Sequence, residues 1–188
     1  MELEAGLQLI LGPSGGGKSR WAEHLAASSG LPVVYLATGP RLPHDPDWQR
    51  KLEEHRCRRP MLWSCLEVEG DLEPALRGVL PGSMTLVDSL GTWVAAWLEE
   101  EPSDWDQRCD ALLGSVSSFN GPLLLVAEEV GWSVVPATAA GSRFRHRLTA
   151  LLLRLQPLAR RTWLVVADRA LDLDRLGVLV PQAPVPTA

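Results

Sequence analysis

Short apolar runs alternating with amphipathic helical patterns, and a glycine-rich loop between the first run and the first helix, predict one α/β domain from these 188 residues. The expected class is a mainly parallel, doubly wound sheet with helices on both faces, and the loop makes it P-loop NTPase-like. Runs without polar alternation point to parallel strands, because crossover helices cover both faces of such a sheet.

Strands are expected at 7–11, 32–38, 84–88, 122–127 and 162–167, with a further one at 62–68. Helices are expected at 18–27, 47–56, 72–79, 90–99, 105–118 and 143–158, where apolar residues recur at helical spacing. Three prolines around His44, between Pro40 and Pro46, read as a loop leading into the second helix. Residues 1–169 form the catalytic domain in this reading, and 170–188 an extra stretch that ends in a loose tail with three prolines.

The loop itself, Gly12, Pro13, Ser14, Gly15, Gly16, Gly17, Lys18 and Ser19, has Walker A spacing between a strand and a helix. Its glycines let successive backbone N–H groups turn around phosphate oxygens, and the following helix adds its positive end. Lys18 is expected at the β/γ-phosphates of ATP or GTP and Ser19 at Mg²⁺. Only Lys18 and Lys51 among the 18 basic Lys and Arg residues are lysines, which sharpens the choice of Lys at this point.

A net charge of -5 gives no general attraction to nucleic acid or anionic membrane. Three cysteines, Cys57, Cys65 and Cys109, without C-x-x-C spacing argue against a disulfide framework or a zinc site and suit a reducing cytoplasm. The acidic start with its short apolar run does not read as a signal peptide, and no stretch is long enough for a membrane span. Trp21, Trp93 and Trp97 lie in amphipathic patterns, where packing is their expected role.

Carboxylates end several expected strands. Asp88 ranks first as a Walker B-like group holding Mg²⁺, Glu129 second, with Glu128 and Asp168 also in view; each could instead serve as a helix cap or a solvated charge. The other cluster is His55, Arg56, Cys57, Arg58 and Arg59 near the end of the second helix. Its cations can complement the helix dipole, or they can flank a histidine that attacks phosphorus. His24, His44 and His146 have no such company.

The early P-loop, the run H-R-C-R-R-P-M-L-W from His55 to Trp63, L-V-D-S-L from Leu86 to Leu90 and E-V-G-W-S-V-V-P from Glu129 to Pro136 together resemble one family. It is that of the bifunctional adenosylcobinamide kinase/adenosylcobinamide-phosphate guanylyltransferases of cobalamin biosynthesis. The resemblance implies a guanylylated histidine at His55, nucleotide contacts at Lys18 and Ser19, and acidic active-site positions at Asp88 and Glu129; Arg56, Arg59 and Glu129 are expected beside the nucleotide. It implies Mg²⁺, a nucleoside triphosphate and a corrinoid as partners, and a homotrimer with its active site near a subunit interface.

The chain departs from that pattern at Gly15 and Gly16, where the family commonly has a basic or polar residue and then Ser. It departs again in the late helix, where Thr149, Leu152 and Leu155 stand at the family's Asp, Gly and Asn positions. A small-molecule kinase without guanylyl transfer, or a non-catalytic nucleotide-binding protein, remain the alternatives.

Overall fold

A computed structural model of the chain describes residues 5–132 and 136–181. The elements follow the order β1 (Gly6–Gly12), α1 (Lys18–Ala27), β2 (Val33–Ala37), α2 (Pro46–Arg58), β3 (Ser64–Glu67), α3 (Leu72–Arg77) and β4 (Met84–Asp88). They continue with α4 (Leu90–Ala96), α5 (Pro102–Ser117), β5 (Pro122–Glu128), α6 (Ala139–Leu155), a 3-10 turn at Gln156–Leu158, β6 (Ala159–Val166), β7 (Arg169–Asp172) and α7 (Leu173–Leu176).

The seven strands form one sheet in the order β3-β2-β4-β5-β1-β6-β7. Every pairing is parallel except that of β6 with β7. Strand parity sorts the core into two layers, as expected for a sheet covered on both sides. Leu7, Leu9, Val87, Leu123 and Leu125 pack with Leu90, Trp93, Leu112, Leu148 and Leu151 from α4, α5 and α6. Ile10, Tyr35, Met84, Leu86, Leu124 and Val126 pack with Ala22, Leu25 and Ala26 of α1. Trp93 is buried and Trp21 and Trp97 pack at the edges of these layers, as the amphipathic patterns require.

Local chemistry fixes the helix starts around the site. Asp45 accepts from Trp48 N at 2.9 Å and Pro46 opens α2, while Trp48 Nε1 donates to Pro40 O at 2.8 Å and ties the proline-rich loop to that helix. Ser89 and Thr92 make a reciprocal capping box at the start of α4. Arg147, 5% exposed, donates to Trp97 O at 2.7 Å and Glu100 O at 2.6 Å, closing the carbonyl end of α4.

Several boundaries differ from the sequence reading: α4 ends at Ala96 rather than Glu99, α6 at Leu155 rather than Leu158, and three elements start earlier than expected. The last parallel strand begins at Ala159 rather than Thr162, α6 begins at Ala139 rather than Arg143, and α5 at Pro102 rather than Trp105. Beyond residue 169 the chain continues as β7 and α7, with Thr162 N donating to Asp174 Oδ2 at 2.6 Å. Residues 182–188 of the expected tail lie outside the described residues. No described helix is long and apolar enough to cross a membrane.

Candidate active site

The phosphate loop leaves β1 at Gly12, whose φ is +151°, and a Cβ there would stand 2.1 Å from Val165 O. Only glycine therefore lets the loop pass this close to β6. Pro13 O receives both Gly16 N at 3.1 Å and Lys18 Nζ at 2.9 Å, curling the loop over its own lysine. Gly17, in the left-handed region at φ +99°, starts α1 without a side-chain cap, so the first amides of the helix remain for an anion. Ser14 and Gly15 are exposed, while Ser19 is half-buried at the helix start.

Lys18 is only 6% exposed. Burial lowers its pKa, and the charges of Glu128 and Asp88 act against that shift. These carboxylates end β5 and β4, the two strands next in order beside β1. Glu128 Oε1 accepts from Ser89 Oγ at 2.9 Å, while Oε2 is buried with no hydrogen-bond partner. A Cβ on Gly91 would lie 2.0 Å from Oε2, so the glycine makes room for this carboxylate.

The order given to the paired glutamates is reversed here. Glu129, ranked second after Asp88, is instead held by the turn that follows it, with Gly131 N donating to Glu129 Oε1 at 2.8 Å. Residues 133–135 of the same motif lie outside the described residues. Parity was the available signal, because Glu128 continues the series Leu124, Val126 just as Asp88 continues Met84, Leu86 on the α1 side.

Asp88 is close to buried, its side chain 9% exposed. Tyr35 OH donates to its Oδ2 at 2.7 Å, and His55 Nδ1 lies 3.7 Å from the same oxygen. Burial lowers the His55 pKa, and Arg58 and Arg59 push it the same way against Asp88 and Glu23. Both effects favour the neutral imidazole, the form that can act as a nucleophile. Arg58 fixes the end of α2 to α1 through two contacts of 3.2 Å to Glu23, and its Nη2 stands 3.2 Å from His55 Nδ1.

Gly15, Gly17, Lys18, Ser19, Arg20, His55 and Arg58 line one cleft of about 180 Å³. The structure therefore brings the expected nucleophile to the phosphate loop. Arg59 packs its guanidinium 3.6 Å over the Tyr35 ring. Arg56, expected at the nucleotide, instead pairs with Glu67 of β3 on the other side of α2. Asp168 pairs with Arg20 from the β6–β7 turn. His24 stacks on Trp21, and His44 and His146 are exposed. Leu152 and Leu155 serve the core, while Thr149 is exposed.

A family model described as cobinamide kinase / cobinamide phosphate guanyltransferase matches residues 8–173. The bifunctional adenosylcobalamin biosynthesis protein CobP of Pseudomonas aeruginosa is 40% identical over 138 residues, covering 72% of this chain and 79% of its own. The corresponding protein CobU of Escherichia coli is 28% identical over 174 residues, covering 85% and 94%. Among solved structures, an ATP synthase subunit from Nanoarcheaum equitans superposes with a TM-score of 0.57 at 13% identity, over 95% of this chain and 54% of that one. A type III secretion ATPase gives 0.53 at 11% identity, over 93% and 59%. These two share the fold of nucleotide-handling P-loop proteins. The family match begins in β1 and ends where α7 starts, spanning every element that builds the cleft, so the chain belongs to the cobinamide kinase / cobinamide phosphate guanyltransferase family.

Proposed function

We propose that this chain performs both reactions for which its family is named, on adenosylcobinamide, and that His55 carries the guanylyl group between donor and acceptor. The carrying observation is the single cleft that holds Lys18, Ser19 and His55 together.

In the kinase reaction the loop amides and Lys18 hold the β/γ-phosphates of ATP or GTP while the terminal phosphoryl group passes to the corrinoid's hydroxyl. Catalysis there is mainly positioning and charge stabilisation. In the second reaction the neutral imidazole attacks the α-phosphorus of GTP. A nitrogen–phosphorus bond forms, the bond to pyrophosphate breaks, and the cations of Lys18 and Arg58 offset the charge that builds on phosphate. The substrate phosphate then takes the guanylyl group from nitrogen and the imidazole is regenerated, giving adenosylcobinamide-GDP.

The donor set suits Mg²⁺, which prefers oxygen ligands from one or two side chains together with phosphates. Ser19 and Asp88 would hold it, and the unpartnered Glu128 Oε2 offers a further acceptor nearby. The ion would supply Lewis-acid charge to the phosphates. We assign the protein to the cytoplasm as a homotrimer; the fully exposed Met61 and Leu62 beside the exposed β3 edge support an oligomeric contact there.

GTP labelled in the α-phosphate should leave label on the protein with release of pyrophosphate, in an acid-labile, base-stable bond. Label in the γ-phosphate should not be retained. His55→Ala should abolish the adduct and spare the kinase step. No adduct on folded protein with magnesium present would leave a monofunctional kinase, and an adduct persisting in the variant would move the nucleophile elsewhere.

A further inference from the structure

Tyr35 is the only tyrosine in the chain and is fully buried. A phenylalanine would fill the same apolar layer, so the hydroxyl needs its own explanation. That hydroxyl donates to Asp88 Oδ2 at 2.7 Å, the oxygen that faces His55 Nδ1 at 3.7 Å. The ring is gripped by Arg59, 3.6 Å over its centroid, and by Trp63, stacked at 6.4 Å. One segment, His55 to Trp63, thus supplies the nucleophile and both groups that hold the tyrosine. Resting on the guanylyl-carrier reading above, we infer that Tyr35 is a positioning residue: it locks Asp88 so that the carboxylate accepts a hydrogen bond from Nδ1–H of His55, which keeps the Nε2 lone pair for phosphorus.

The chemistry follows from the two ring nitrogens. A neutral imidazole that donates from Nδ1 keeps its lone pair on Nε2, on the far side of the ring. Attack through Nε2 retains the Nδ1 proton and leaves the ring positive, and the Asp88 charge stabilises that product.

Asp88, Glu23, Arg58 and Arg59 are the charged groups around the imidazole. Arg58 is the competitor, because its Nη2 stands 3.2 Å from Nδ1 and a guanidinium only donates, which suits the opposite tautomer. Arg58 also lines the phosphate cleft. A nucleotide phosphate there gives the guanidinium an anion to bind, and Nδ1 passes to Asp88.

Tyr35→Phe keeps the ring under Arg59 and beside Trp63 and removes only the hydroxyl. With α-labelled GTP in single turnover, the adduct-forming rate at saturation should fall about 10-fold to 100-fold, as when a group that orients a ligating histidine is removed. The kinase rate and the GTP concentration for half-maximal rate, which through Asp88 also depend on Mg²⁺, should change much less than the adduct rate. An adduct rate within two-fold of wild type, or a kinase rate that falls in parallel, would overturn the assignment. Nitrogen NMR of histidine-labelled wild-type protein with GDP bound reads the tautomer without any variant: His55 should carry its proton on Nδ1, and a proton on Nε2 would overturn the inference. Wild-type protein that forms no adduct would bring down the carrier reading itself.

Discussion

Lys18→Ala removes the one cation at the centre of the phosphate loop, and its size follows from the neighbours. The residue is 6% exposed, and Nζ donates to Pro13 O at 2.9 Å and feels Glu128 and Asp88. A hydrogen bond to a charged group contributes about 1.5–3 kcal/mol, which at about 1.4 kcal/mol per decade is roughly 10-fold to 100-fold in affinity. The two carboxylates, no longer offset, repel the incoming phosphates and push the loss toward the upper end. The folded protein itself should change little, since among the described residues the hydrogen-bond partner of Nζ is Pro13 O alone. Calorimetric titration with GDP, kinase turnover with ATP or GTP, and a thermal melt separate these quantities. GDP affinity and kinase rate within three-fold of wild type, in protein that melts normally, would refute the loop as the phosphate seat.

Two further perturbations probe the scaffold. Gly12→Ala combines backbone strain with a 2.1 Å clash on Val165 O, about 2–6 kcal/mol together, or a melting temperature lower by roughly 5–20 °C. Gly15→Ala, at φ +72° with nothing within 4 Å, should cost only about 1–2 kcal/mol; equal losses in thermal melts would contradict the close approach to β6. Arg108 donates to Glu100 at 3.0 Å and holds its carboxyl below the ordinary glutamate range. A depressed folded value means that the contribution is present above the unfolded pKa of about 4.3 and lost as pH falls through the lower folded value. Glu100→Gln should therefore cost less than about 1 kcal/mol at pH 7 and make chemical-denaturation stability less steep between about pH 5 and pH 3; an unchanged slope would remove the pair from the acid limb.

What the sequence reveals of this fold follows from how strongly each segment obeys one period. β4 and α1 fall where expected, because an unbroken apolar run and the P-loop punctuation mark them. β7 escapes notice because its turn is Ala167-Asp168, both at positive φ, without the glycine that usually signals a two-residue hairpin. Ala159, Arg160 and Arg161 open β6 but look polar, and Thr138-Ala139-Ala140-Gly141 opens α6 through a hydroxyl cap at Gly141 N rather than through periodicity. In the site, the loop and His55 are legible from residue types and motif. Tyr35 is not, since a tyrosine inside a buried strand reads as core until the neighbouring strand sets Asp88 beside it.

Sheet order explains how one chain can serve two phosphate chemistries. From β1 outward, β5 brings Glu128, β4 brings Asp88 and β2 brings Tyr35. At about 4.8 Å per strand step, three steps carry these groups roughly 14 Å across the sheet, each set two residues further back from the carboxyl edge than the last. Register places Gly12 beside Glu128 and Ala37 beside Asp88, but Asp88 beside Val126, so the edge steps back by two residues between β5 and β4. Across that edge α2 is pinned at its end by Arg58 on Glu23 and by Arg59 on Tyr35. In the proposed function, a phosphate chain anchored at Lys18 would extend toward His55, which lines the same cleft. Which phosphorus is attacked would then depend on which one lies opposite an acceptor, the corrinoid hydroxyl at one end or the imidazole at the other. On the same proposal, the carboxylates Glu128 and Asp88 would repel the nucleotide on their own, and Lys18, Arg58 and Mg²⁺ would offset that charge.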